Sequence, residues 1–144
     1  MMKIRNLDIN DLPQCTQLFK DTFSKEPWFD NDSMEDIKML FMNHMNNNYF
    51  VGYVLLDDSK IVGLSLGFSK PWIRGMEYYI DQFVIEYGSQ GKGYGSKFIE
   101  LIDTDIKNKG MNAIILNTEK GYPAEKFYLK NGFRIIDNVI VLGK

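Results

Sequence analysis

The sequence predicts a single domain with a mixed α/β fold, in which one sheet is covered by helices on both faces. Apolar residues recur at helical spacing near the N-terminus, at strand spacing through the middle, and at alternating helix and strand spacing afterwards. The 144 residues are enough for one substantial core, and no repeat, linker or low-complexity tract divides them. We therefore expect residues 1–144 to form one domain with the order β-α-α-β-β-β-α-β-α-β.

The first three elements are a strand and two helices. Residues 3–7 alternate as a short strand does. Asn10 or Asp11 is suited to cap a helix that has Pro13 in its first turn, where a missing N–H costs nothing. Ser33 is suited to cap a second helix, which the asparagine run 46–48 ends.

The period then changes to that of strands. Residues 49–56 and 61–68 read as two strands joined by a polar hairpin turn at 57–60. Residues 77–86 are rich in aromatic and β-branched side chains, which indicates a third long strand.

Helices and strands alternate over the rest of the chain. Residues 93–109 have a helical apolar face, and Gly110 ends it. A short buried strand is expected at 113–116, a short helix at 123–130 and a last strand at 133–142.

Composition excludes several functional classes. Seventeen basic and nineteen acidic residues leave a net charge of −2, which argues against a nucleic-acid binder. No apolar run has the roughly 18 residues that span a bilayer, and the N-terminus lacks the features of a secretory signal. Cys15 and His44 are the only cysteine and histidine, so neither a thiol–imidazole nucleophile nor a metal site is expected. A reducing cytoplasm is the expected compartment.

A glycine-rich turn between a strand and a helix is the most informative motif. Residues 88–96 read GSQGKGYGS, and their glycines allow backbone N–H groups to approach a phosphate at a helix N-terminus. A P-loop fails because Tyr94 and Gly95 stand where Lys and Ser or Thr are needed. A dinucleotide fingerprint fails because Ser96 replaces its third glycine.

The spacing Gln90-x-x-Gly93-x-Gly95 resembles the acetyl-CoA signature of the GNAT superfamily of N-acetyltransferases. An ordinary strand-to-helix turn is the alternative interpretation of this motif alone. A second motif downstream matches the family at the expected separation; its members are Ala124, Phe127, Tyr128, Gly132 and Phe133. The resemblance extends at least from Tyr49 to Val141.

The resemblance implies a mainly antiparallel sheet of six to seven strands and acetyl-CoA as co-substrate. It implies a bulge in the strand before the glycine turn, with the pantetheine arm beside that strand and the pyrophosphate on the turn. The implied cofactor residues are Phe83, Val84, Ile85, Gln90, Gly91, Lys92, Gly93, Tyr94, Gly95, Ser96 and Asn117. Asn117 is included because Gly121 occupies the position where many members have a pantetheine-binding asparagine.

The resemblance also implies catalytic roles. Tyr128 is the expected general acid for the leaving thiolate; a packed core tyrosine is the alternative. A neutral amine must form before attack, and Asp81 is the first candidate base because Asp-Gln-Phe at this place resembles the aminoglycoside 6′-N-acetyltransferases. An ordinary salt-bridged strand acid is the alternative interpretation of Asp81. Glu77, Glu86 or water are the alternatives, and strand alternation predicts Asp81 on the face of Tyr79, Phe83 and Ile85, opposite Glu86.

The acceptor is expected to be a small cationic amine of the aminoglycoside or polyamine type. Six acidic residues between positions 21 and 36 surround Trp28, and we expect Trp28, Glu77 and Tyr79 to contact the acceptor. An ordinary solvated surface is the alternative reading of the acidic segment. The rival functions are acetylation of a protein or peptide amine and acyl-CoA binding without turnover. Residues 133–144 are suited to supply a sheet edge for a homodimer.

Overall fold

A computed structural model describes all 144 residues as one five-stranded sheet with four α-helices. The strands are β1 (Met2–Asn6), β2 (Phe50–Asp57), β3 (Lys60–Trp72), β4 (Gly75–Ile85) and β5 (Met111–Leu116). The helices are α1 (Leu12–Phe23), α2 (Met34–Met45), α3 (Tyr94–Asn108) and α4 (Pro123–Lys130). None of these helices is both long and apolar enough to cross a bilayer.

The strands lie in the order β1-β2-β3-β4-β5. The first four pair antiparallel, since short connections or hairpins join β2 to β3 and β3 to β4. β5 pairs with β4 in parallel, because α3 returns the chain to the end of the sheet at which β4 begins. This parallel pair with its crossover helix places the glycine-rich turn at the carboxyl end of β4.

Two apolar clusters cover the two faces of the sheet. On one face α1 and α2 pack on the sheet, with Phe41 and Leu64 fully buried. On the other face α3 packs with Tyr78 and Phe98 fully buried. The expected helical cover on both faces is therefore confirmed.

Local capping explains where the first helices begin. Ser33 Oγ accepts the N–H of Asp36 at 3.1 Å, so the predicted cap of α2 is confirmed. Before α1, a single 3-10 turn over Ile9–Asp11 intervenes, and Asp8 rather than Asn10 caps it. The Asp11 carboxylate accepts the N–H of Asp8 and two hydrogen bonds from Arg5, at 2.7 and 2.9 Å, which fixes the entry into the helix.

The prediction of six to seven strands is wrong, because residues 133–142 form no strand. Asp137 and Asn138 form a turn that divides the two aliphatic runs, as these residue types commonly do. The single backbone hydrogen bond recorded within this segment is Val139 N–H to the Ile136 carbonyl, at 3.3 Å. Strand propensity correctly identified an apolar segment. A strand forms, however, only where a neighbouring strand offers backbone hydrogen bonds, and β5 pairs with β4 alone.

Candidate active site

The sheet opens where β4 leaves β5. The pairing of the two strands reaches from Met76 to Ile80 on β4, and the strand then continues to Ile85 with β3 as its only partner. A cleft of about 360 Å³ lies at this opening, between the end of β4, the glycine-rich turn and α4. Its volume is within the range of small-molecule sites.

Free backbone groups line the opened edge of β4. Glu86 N–H donates to the Val62 carbonyl, and antiparallel pairs alternate between bonded and unbonded, so Val84 directs its backbone groups at β3. The same alternation directs the N–H groups of Phe83 and Ile85 at the gap. The Ile85 carbonyl does point away from β3, because it accepts a hydrogen bond from the Gln90 side chain at 3.1 Å.

A bulge at Asp81 changes which way the side chains of β4 point. Leu66 of β3 stands opposite Gln82 and Gly67 stands opposite Ile80, so Asp81 is the extra residue. A Cβ on Gly67 would collide with the carbonyl oxygen of Tyr79, so the bulge requires glycine on the facing strand.

The bulge overturns the predicted face of Asp81. Phe83 and Ile85 pack in the cluster beneath α3. Asp81 instead faces α2, where it contacts His44. Simple alternation placed Asp81 with Phe83 and Ile85, and it failed because an extra residue shifts the period by one.

The glycine-rich turn presents unbonded N–H groups. Gly91 and Gly93 have φ of +81° and +79°, and Gly93 begins α3 without any side-chain cap. No backbone or side-chain acceptor takes the N–H groups of residues 91–96, and the space around Gly91 and Gly93 is open. Free donors at the positive end of a 15-residue helix are suited to bind a phosphate group.

Tyr128 of α4 forms one wall of the cleft. Its ring makes edge contacts with Phe127 and Phe133, both with centroids 5.2 Å away, and with Phe83 at 6.1 Å. Burial raises its pKa to about 12, so the phenol is protonated at neutral pH. Its hydroxyl makes no hydrogen bond within the protein and is not fully buried, and the side chain borders two cavities, of which this cleft is one.

Two of the carboxylates that the sequence suggests as bases accept hydrogen bonds within the protein. Burial alone would raise the pKa of Glu86, but hydrogen bonds from Ser89 at 2.8 Å and from Lys60 outweigh it and lower the pKa. The hydrogen bond from His44 lowers the pKa of Asp81 against the opposing effect of burial, and Gln82 contributes in the same direction. Both carboxylates are therefore weaker bases than free ones.

A polar cluster lies beside the cleft on the face of α2. His44 Nε2 is 2.7 Å from Asp81 Oδ2, and Gln82 donates to the same oxygen at 3.2 Å. Asn117 donates to the Tyr79 hydroxyl at 2.9 Å. These three contacts join the end of α2, the bulge of β4 and the end of β5.

The predicted site residues divide between these two places. All predicted cofactor residues except Lys92 and Asn117 line the cleft, together with Tyr128 and Trp28. Asp81, Glu77 and Tyr79 do not line it. Lys92 lies in a neighbouring polar cavity, and Asn117 lines a second apolar cavity between β5, α4 and the C-terminal segment.

Sequence reasoning missed several wall residues of the cleft. Those contributed by α1 and by the ends of α4 are Thr22, Phe23, Pro123 and Lys130. Phe23 packs edge-to-face on Trp28 with centroids 4.8 Å apart, which holds the α1–α2 connection against the cleft. The spacing of Phe23 and Trp28 was the sequence signal that could have identified these wall residues. Only the packing of the folded chain shows that both rings face the cleft.

Comparisons with known proteins agree with this geometry. Residues 12–133 match the model of the acetyltransferase (GNAT) family. A transcriptional regulator from Bacillus halodurans C-125 has 18% identity and a TM-score of 0.76, with all of both chains covered. The aminoglycoside acetyltransferase meta-AAC0020, from an uncultured soil metagenomic sample and in complex with sisomicin, has 23% identity and a TM-score of 0.73, covering 99% of this chain and 95% of that one.

A third similar structure contains a bisubstrate analogue. It is AAC(6')-Iy in complex with the bisubstrate analogue CoA-S-monomethyl-acetylneamine, with 15% identity and a TM-score of 0.74, covering 100% of this chain and 98% of that one. At these identities the likeness concerns the fold alone.

Proposed function

This chain belongs to the acetyltransferase (GNAT) family, and on that premise we propose that its cleft transfers the acetyl group of acetyl-CoA to a primary amine of a small cationic acceptor. Family membership makes the chain an acetyl-CoA-dependent N-acetyltransferase. The observation that carries the proposal is the opened edge of β4 running directly into the uncapped N-terminus of α3.

The cofactor fits this edge in an extended form. The pyrophosphate binds the free N–H groups of residues 91–96, where the helix dipole adds to the hydrogen bonds. Lys92 adds positive charge next to the turn. The pantetheine arm lies along Phe83 and Ile85 and takes the place of a missing strand, since its amides match the spacing of backbone groups. Asn117 extends this line of polar groups at the end of β5.

The reaction is a direct transfer. The neutral amine attacks the thioester carbon, and the N–H group of Ile85 or Phe83 stabilises the developing oxyanion. The C–S bond then breaks, and the sulfur leaves with the bonding pair. Tyr128 acts as the general acid toward this thiolate. Because its pKa is about 12 and that of an alkyl thiol is about 8.5, proton donation depends on the close position of the hydroxyl.

The acceptor binds between the polar cluster and the α1–α2 connection. Asp81 attracts the ammonium group, Tyr79 and Glu77 lie on the same strand, and Trp28 offers an aromatic face. The six acidic residues of positions 21–36 are all exposed, which favours a polycation. The similar aminoglycoside acetyltransferases support this class of acceptor.

We further propose a homodimer formed through the C-terminal segment. Ile140, Val141 and Leu142 are between 74% and 82% exposed and follow one another without a polar residue. Consecutive apolar residues are typical of segments covered on both sides. A second copy provides that cover by symmetric packing of the same segment.

The test of cofactor binding uses two glycines with the same backbone conformation. Gly93→Glu places bulk and negative charge in the turn, and we expect no measurable acetyl-CoA binding by calorimetry. Gly110→Glu is the matched control, because Gly110 also has a left-handed φ of +84° and open surroundings but lies at the far end of α3. Both variants carry the same backbone strain, so equal affinity in the two would refute the assignment of the turn.

A further inference from the structure

His44, the only histidine of the chain, occupies the last turn of α2 and contacts β4 at its bulge. Its side chain is 18% exposed, so one part of the ring is packed and another part remains accessible. The contact joins residues 37 positions apart, at the point where β4 begins to separate from β5.

The contact decides which nitrogen of a neutral His44 ring is basic. The Asp81 carboxylate only accepts, so the ring must donate through Nε2–H at this 2.7 Å contact. The lone pair of the neutral imidazole then lies on Nδ1, which has no partner within the protein. An orienting carboxylate that fixes a tautomer is the arrangement found in catalytic His–Asp pairs.

Asp81 is poorly suited to take a proton itself. Its Oδ2 already accepts from His44 and Gln82, and these bonds stabilise the ionised form. A carboxylate so stabilised attracts an ammonium ion but does not deprotonate it efficiently.

We propose that Nδ1 of His44 is the base that takes the proton from the acceptor amine, with Asp81 as the residue that orients it. This inference rests on the proposed function and deepens it. The ammonium group of the acceptor gives one proton to Nδ1, directly or through one water molecule. The neutral amine attacks the thioester, and the resulting imidazolium returns its proton to solvent. The second proton, lost from nitrogen as the C–S bond breaks and the amide forms, replaces the proton that Tyr128 gives to the thiolate.

The charged and titratable groups around the ring come from β4 and from the end of α2. Asp81 on β4 faces the ring, and the C-terminal end of α2 favours a cation in its last turn. Tyr79, also on β4, is the other titratable group near this carboxylate, and its pKa is raised first by burial and then by Asp81. No further carboxylate or cationic side chain pairs with either member.

The pair lies on the strand that carries the proposed oxyanion donors. Asp81 is two residues before Phe83 on β4, although the bulge turns the two side chains to opposite faces. A thioester held beside the backbone of Phe83 is therefore expected near the pair, and one bridging water extends the reach of Nδ1.

The decisive comparison is between His44→Gln, His44→Ala and Asp81→Asn, all measured for kcat and KM with the same amine. A glutamine keeps a neutral N–H donor for Asp81 but has no basic nitrogen. We expect kcat of His44→Gln to fall about a hundredfold, with unchanged acetyl-CoA affinity by calorimetry. We expect added imidazole to restore part of the rate to His44→Ala, in proportion to its unprotonated form.

The outcomes separate His44 as the base from the rival roles. If Asp81 is the base and His44 only positions it, His44→Gln retains most of the wild-type rate while Asp81→Asn does not, and imidazole restores nothing to His44→Ala. Retention of most of the wild-type rate by His44→Gln overturns the proposal, and so does the absence of any effect of imidazole on His44→Ala. Wild-type turnover and acetyl-CoA binding report separately on the proposed function, since neither depends on the comparison among variants.

Discussion

The first 111 residues and the last 33 differ in how far their side chains are buried. Every fully buried residue lies between Leu7 and Met111, and α4 contributes none. The C-terminal part adds one wall of the cleft through Phe127 and Tyr128 but leaves its aliphatic side chains largely exposed. The difference teaches that stability resides in the four antiparallel strands with α1–α3, whereas the C-terminal part is the region for which we propose cover by a second chain.

The candidate active site lies on the boundary between these two regions. The glycine-rich turn and the bulge belong to the well-packed region, whose buried neighbours hold their backbone in place. Tyr128 belongs to the other region and packs against the apolar cluster of the first, where it contacts the ring of Phe83. Binding of a cofactor between them therefore adds contacts where the protein itself has few.

The largest expected effect compares the two regions directly. Leu64→Ala removes a side chain that is 0% exposed, and we expect it to lower the free energy of unfolding by about 2–5 kcal/mol. Leu142→Ala makes the same chemical change at a side chain that is 82% exposed, and we expect a change within about 0.5 kcal/mol for the monomer. Urea denaturation at low protein concentration measures both. A comparable loss in the two variants would contradict the contrast between the regions.

The next effect concerns the cover of the C-terminal segment. Ile140→Asp places a charge among exposed aliphatic residues, and burial of an isoleucine is worth about 1.5–3 kcal/mol at each of two symmetric positions. We expect wild type to sediment as a dimer and this variant as a monomer. Asn138→Asp adds the same charge at the neighbouring turn and is expected to remain dimeric. A wild type that sediments as a monomer at all concentrations would exclude this interface.

The smallest effect tests the wall residue that the C-terminal region contributes. Tyr128→Phe keeps the ring contacts and removes the hydroxyl, so we expect kcat to fall about tenfold, the value of a hydrogen bond of about 1.4 kcal/mol. Acetyl-CoA affinity and stability should change little. Tyr122→Phe is the control, because Tyr122 does not line the cleft. Equal kcat for wild type and Tyr128→Phe would leave Tyr128 a packing role only.

The sequence by itself determined the elements whose signals are local. The Ser33 cap of α2, the hairpin at 57–60 and the glycine-rich turn depend on residues within a few positions of one another, so spacing alone predicted them. The separation between the turn and the Ala124–Phe133 motif was also visible in the chain, and it identified the family.

Only the tertiary structure decided the features that depend on partners distant in sequence. The bulge at Asp81 arises where Gly67 of another strand allows it, and it reversed the predicted side-chain direction. The His44–Asp81 pair joins two elements that no periodicity connects. Residues 133–142 have the composition of a strand, yet a strand requires a free and adjacent ladder, and the fold of the single chain gives them none. Local propensity depends on neighbouring residues. Strand pairing and side-chain direction depend instead on the surface that the rest of the folded chain presents.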